Sequence, residues 1–163
     1  MTTSTPGRTQ TVDLLISHSQ ILVRSRPYDE ARSRWGHGNV EQGATLHADY
    51  LVFDPLPDEA FGAVVHLAHA DAFSPDPKAQ RRIVAPFALN DPAAVEVASA
   101  AEAFPVEVGL VAGIYDVFFE ICESDEVYYR FTFVPNAQPG GPRFLLDDEW
   151  GGEEGNALRP GLF

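Results

Sequence analysis

The stretch that decides the fold is GIYDVFFEICESDEVYYRFTFV, Gly113–Val134. Two alternating runs flank a short polar connection. In the first, Tyr115, Val117, Phe119 and Ile121 share one phase, with Asp116 and Glu120 on the other. In the second, Val127, Tyr129, Phe131 and Phe133 form the apolar phase. Successive side chains of a strand point to opposite faces, so a period of two marks a sheet with one face in a core. The connection ESDE, residues 123–126, has the composition of a hairpin turn. The stretch predicts a pair of antiparallel strands joined by a tight turn, the clearest pair in an all-β protein.

The same period recurs along the chain. TVDLLISHSQILV (Thr11–Val23) reads as strand, broken or bulged near Ser17–Ser19. In TLHADYLVF a single strand would turn Leu46, Ala48, Tyr50 and Val52 to one face. AVVHLAHA is another short strand, and Pro86 confines the strand of QRRIVAPFAL to an edge or a bulge. Residues 92–105 admit either two short strands joined near Phe104–Pro105 or a short helix. Two long loops remain, residues 24–44 around Trp35 and residues 135–163. Trp35 is expected to cap one end of the core, and PNAQPGGP reads as a mobile linker. No convincing 3.6-residue pattern with caps appears. The expected fold is an all-β, antiparallel two-sheet β-sandwich of about seven to eight strands, C2/immunoglobulin-like. A flexible N-terminus (1–11), the sandwich domain (12–134) and a long C-terminal acidic extension (135–163) divide the chain.

Composition supports a folded core. The chain has 163 residues, 45 % of them apolar, with 11 Phe, which is enough for one domain without staples. One cysteine, Cys122, excludes an internal disulfide framework, and its acidic flanks raise a thiol pKa rather than activate it. No secretory run and no uninterrupted apolar stretch of about 18 residues is present, so no membrane span and a cytoplasmic location are expected.

Charge is unevenly placed. The net charge is −13; residues 1–90 hold 10 acids and 8 Lys/Arg, whereas residues 91–163 hold 14 acids and 3 Lys/Arg. Such a surface repels phosphate, so nucleic acid is not expected as a direct partner. A basic protein is a suitable one, and solubility alone is the competing explanation. Two segments concentrate the acids. FLLDDEWGGEE (Phe144–Glu154) carries Asp147, Asp148, Glu149, Glu153 and Glu154 around Trp150, and the hairpin carries Glu120, Glu123, Asp125 and Glu126.

Chemistry-bearing motifs are missing. His66 and His69 are three apart, which on a strand sends them to opposite faces. Ser17, His18 and Ser19 are neighbours that point apart, and there is no nucleophile elbow, phosphate loop, metal-binding helix or EF-hand pattern. No catalytic residues, metal or other cofactor are expected. A weak Ca²⁺ site in an acidic loop, as in a C2-like binding module, stays open as an alternative.

The succession SHSQILV, a Trp-containing loop, VEQGATLHADYLVF, RRIVAPFAL and AVEVAS…FPVEVGLVAGIYDVFFEI resembles the competence protein J family over about residues 12–134. Gln20, Trp35, Gln42, Gly43, Pro86, Phe87 and Gly113 are its more individual points; the chain departs from the pattern after Pro135. The resemblance implies a non-enzymatic inhibitor of a competence nuclease, with relatives that act as immunity proteins beside secreted nuclease toxins. It brings no catalytic residues. On this reading the two acidic segments stand in for phosphates in a basic cleft, with Trp150 as an anchor. Immunity against a toxin that is not a nuclease is the other expectation, and the oligomeric state is left open.

Overall fold

The structure, a computed structural model, describes residues 8–16, 19–56 and 63–163. The expected Ser17–His18 pair lies outside these residues. Among the described residues eleven strands form two sheets. The first contains β1 (Arg8–Leu14), β5 (Ala63–His69), β6 (Ala79–Leu89), β9 (Gly113–Glu123), β10 (Val127–Pro135) and β11 (Arg143–Phe144), in the order β1-β5-β10-β9-β6-β11. The second contains β2 (Ile21–Arg24), β3 (Ala44–His47), β4 (Tyr50–Phe53), β7 (Glu96–Ala98) and β8 (Ala103–Pro105), in the order β3-β4-β2-β7-β8. A one-and-a-half-turn helix, α1 (His37–Gln42), precedes β3.

The inner faces of both sheets share one core. Phe53 of the second sheet stacks on Phe119 of the first, ring centroids 4.2 Å apart, and Phe131 and Tyr129 continue the aromatic layer. Tyr115, Val117, Phe119, Ile121, Tyr129, Phe131 and Phe133 are all buried, as the alternation predicts. Their burial drives the sheets together. The hairpin register pairs Phe119 with Phe131 and Glu123 with Val127.

Several expectations are corrected. The first sheet is mixed: β10 runs parallel to β5, Tyr129 opposite Val65. Alternation is the same in parallel and antiparallel pairs, so it gives no direction. TLHADYLVF is a hairpin rather than one strand, because residues 48–49 turn β3 back onto β4. Leu46 and Leu51 therefore face the core while Tyr50 and Val52 face outward, under a second small cluster. Trp35 belongs to that outer cluster with Leu22, Tyr50, Val52 and Ala98 and does not cap the sandwich end. Of the two alternatives for residues 92–105, the two short strands are found, preceded by a short 3-10 turn. Strand β1 starts at Arg8, inside the segment expected to be flexible.

The long C-terminal segment is packed against the domain. β11 pairs with Ile83 and Val84 of β6, Ala157 bridges to Arg143, and Leu158 is buried. Farther on, the Gly161 N–H donates to the Leu46 carbonyl of β3 at 2.8 Å. This segment closes the flank between β6 and β3. The opposite flank is stitched by side chains: Gln10 of β1 bonds the Pro105 carbonyl and the Glu107 N–H, and Glu102 accepts from the Leu15 N–H.

Candidate functional site

Strand pairing brings the two acidic segments to one end of the first sheet. Ala79 at the start of β6 pairs with Cys122 near the end of β9, and the Glu123 N–H donates to the Lys78 carbonyl at 3.1 Å. The β9–β10 turn therefore lies beside residues 78–79. On the other side of β6, the chain leaving β11 runs antiparallel to it, with the Leu145 N–H on the Arg82 carbonyl. That path carries Asp147 and Glu149 to a cleft of about 350 Å³ that they share with Ala79, Gln80 and Leu146. A register shift between Ala79 and Arg81 bulges β6 between the two acidic segments.

Glu123, Asp125 and Glu126 on the turn are exposed, as are Asp147, Glu149, Glu153 and Glu154 on the loop. The loop is fixed from within. Asp147 accepts the Glu154 N–H, and Asp148 accepts the N–H groups of Trp150 and Gly152 at 2.9 and 2.8 Å. A Cβ at Gly152 would collide with the Asp148 carboxylate, so this turn needs glycine there.

Two expected surface carboxylates are not on the surface. The Asp148 side chain is 0 % exposed and takes a two-pronged ion pair from Arg81, itself 2 % exposed, at 2.8 and 3.1 Å. Burial alone would raise the Asp148 carboxyl, but Arg81 and the loop N–H groups outweigh it and hold its pKa below the ordinary 3.8. Glu120 is likewise 0 % exposed, held by Arg82 at 2.8 Å and Arg130 at 2.9 Å, and it accepts the Asp76 N–H. Both carboxylates are taken up by arginines of the same chain, Arg81 buried and Arg82 and Arg130 partly so, and neither is presented to solvent. Trp150 is half-buried, its ring over the Arg81 guanidinium at 5.9 Å.

Sequence reasoning missed Asp76. Burial opposes its charge, yet the Lys78 N–H, the Tyr128 hydroxyl (2.7 Å) and Arg130 hold its pKa below 3.8. Phe73 stacks on Phe118 at 4.0 Å, and together these contacts pin residues 73–78 over the outer face of the first sheet. Cys122 lies beneath. Burial first, then Asp76 and Glu120, push its thiol up to about 12, which leaves no thiolate near neutral pH.

His66 and His69 point apart as their spacing predicts: His66 meets Thr11 on the outside, and buried His69 meets the Val108 carbonyl. Among the described residues no three His, Cys, Asp or Glu side chains gather closely enough to hold a metal ion, and no helix is long and apolar enough to cross a membrane.

No curated protein sequence matches the chain. A similar solved structure is the crystal structure of ComJ, inhibitor of the DNA degrading activity of NucA, from Bacillus subtilis. It superposes with a TM-score of 0.64 at 15 % identity, covering 78 % of this chain and 96 % of that one. At such identity the likeness speaks to the fold. The profile of Competence protein J (ComJ) matches residues 13–134, so that residues 135–163 lie beyond it. With well over half of its length matched, and the architecture agreeing, the chain belongs to the competence protein J family.

Proposed function

We propose that this chain is a non-enzymatic inhibitor that binds a basic nuclease and covers its nucleic-acid cleft with carboxylates. Family membership supports the class, since the Bacillus subtilis relative inhibits the DNA-degrading activity of NucA. The observation that carries the mechanism is the convergence of Asp147, Glu149, Glu123, Asp125 and Glu126 at one end of the first sheet, on both sides of residues 78–80. A nuclease groove is built to attract phosphates, and an ordered row of carboxylates competes for the same cations. Glu153 and Glu154 extend the row along the loop that Asp148 organises. The chain supplies no chemistry in this scheme. It excludes substrate by occupying the groove, in an interface of about 1,600 Å² in total if it is of ordinary size.

The direct experiment is DNA cleavage by the NucA-type nuclease of the same source organism, titrated with this protein. Cleavage should stop at a fixed stoichiometry, and inhibition should weaken as salt rises from about 0.1 to 0.5 M. Inhibition indifferent to salt would retire the phosphate-mimic mechanism while leaving an inhibitor. A protein that binds the nuclease without slowing cleavage would retire the inhibitor reading itself.

A further inference from the structure

Beside the acidic rim lies a second cleft, of about 390 Å³, between α1 and the acidic loop. Its walls are flat. The Arg81 guanidinium lies over the Phe144 ring at 5.1 Å and over the Trp150 ring at 5.9 Å, and Phe163 carries the Arg159 guanidinium at 4.7 Å. Ala157 and Gly151 complete it with small residues; a Cβ at Gly151 would meet nothing within 4 Å. The walls are also rigid. Gln42 of α1 bonds both the N–H and the carbonyl of Arg159, and the Trp150 N–H is tied to Asp148.

We infer that this cleft receives an aromatic side chain of the basic partner, so that Trp150 is a wall of the anchor pocket and not the anchor. The inference rests on the inhibitor reading above and specifies its contact. Carboxylates steer a basic protein but fix its position poorly; a ring seated in a rigid pocket supplies the position. Arg81 and Phe144 are themselves buried, so the faces left for a further ring to stack on belong to half-buried Trp150 and Phe163 and to the exposed Arg159 guanidinium. Charge selects what flanks that ring. Glu149 and Glu153 flank Trp150 and Gly151 on the loop and Glu41 lines the cleft from α1, all three exposed; exposed Arg159 also lines it, so a lysine or arginine next to the entering ring pairs with the carboxylates of the rim and stays off the Arg159 side. Half-buried Trp150, already packed on Arg81, keeps its place without leaving its own protein.

The test uses two tripeptides as probes, acetyl-Lys-Phe-Lys-amide and acetyl-Lys-Ala-Lys-amide, titrated into ¹⁵N-labelled protein and followed by NMR. The phenylalanine peptide should bind about tenfold more tightly, the return expected from partly burying one ring. It should shift the Trp150 indole N–H and the Gly151 and Ala157 amides. Ala157→Leu fills the cleft without touching a carboxylate, and should erase that advantage while the spectrum stays dispersed. Equal affinities, with shifts at Asp147 and Glu149 only, would overturn the pocket and leave the acidic rim standing. Salt-insensitive spectra with both peptides would sink both. A phenylalanine-dependent shift centred on Tyr28 and Tyr50, which line a cleft on the second sheet, would place the anchor elsewhere and also overturn it.

Discussion

Arg81 shows how one side chain ties the acidic loop to the core. It occupies an inward phase of β6, in step with Ile83, Ala85, Phe87 and Leu89, all of them buried. A charge on that phase needs an internal counter-charge, and Asp148 supplies it from 67 residues away. Asp148→Asn leaves the buried guanidinium uncompensated. Urea unfolding should register a loss of about 3–5 kcal/mol, much of it restored when Arg81 is made Met and Asp148 Leu together. The pair also sets an acid limit. The Asp148 carboxyl has its folded pKa lowered, so its stabilising contribution is complete above the ordinary 3.8 and is lost as pH falls through the lowered value. The urea midpoint of the native protein should drop more steeply between about pH 4 and 2 than that of Asp148→Asn. That QRRIVAPFAL is a strand was legible in the sequence; the partner of Arg81 was not, because Asp148 stands among four other acids with the same composition.

At the scale of elements, long strands announced themselves and short ones did not. The β9–β10 hairpin and β6 supply nine to eleven residues each, enough for a period of two to stand out. β7, β8 and β11 have two or three residues, and contacts made elsewhere in the chain define them. The same limit hid the fate of Trp35, since nothing local says which of two apolar surfaces a loop aromatic will cover. It covers the outer face of the second sheet, half-buried, with its indole N–H buried and unpartnered. Trp35→Ala should therefore cost less than the about 3–5 kcal/mol of a core aromatic. Trp35→Phe, which deletes the unpartnered donor, should stay within about 1 kcal/mol of the native protein. Thermal melts of the two variants check both values. Of the candidate site, exposed turn and loop acids were readable from polar runs. The burial of Glu120 was not, because Asp76, Arg82 and Arg130 reach it from a loop and two neighbouring strands.

At the scale of the molecule, the charge map becomes an orientation. Acids gather where β6 begins and β9 ends, whereas Arg24, Arg26 and Arg32 lie toward the other end, near Asp49 and Glu96, with Ser25 bonded to the Ala88 carbonyl. On the proposed function, a basic nuclease approaching this protein would be guided to that pole. Replacing Asp147, Glu149, Glu153 and Glu154 with Gln or Asn should slow association about tenfold or more at low salt, flatten its salt dependence, and leave the melting temperature nearly unchanged. Stopped-flow mixing at several ionic strengths provides the measurement, and an unchanged on-rate would remove the loop from the encounter.

The closed flank has a consequence of another kind. Residues 143–163 lie along strands whose outer backbone groups would otherwise be open for recruitment of further chains. A chain cut back to residue 134 would present the rims of β6 and β3 together, along with the apolar surface that Phe144 and Leu158 now cover. Incubated at rising concentration, it should build thioflavin-binding assemblies that the intact protein does not. With that outcome, the stretch beyond the family profile would be what keeps the molecule from templating its own kind.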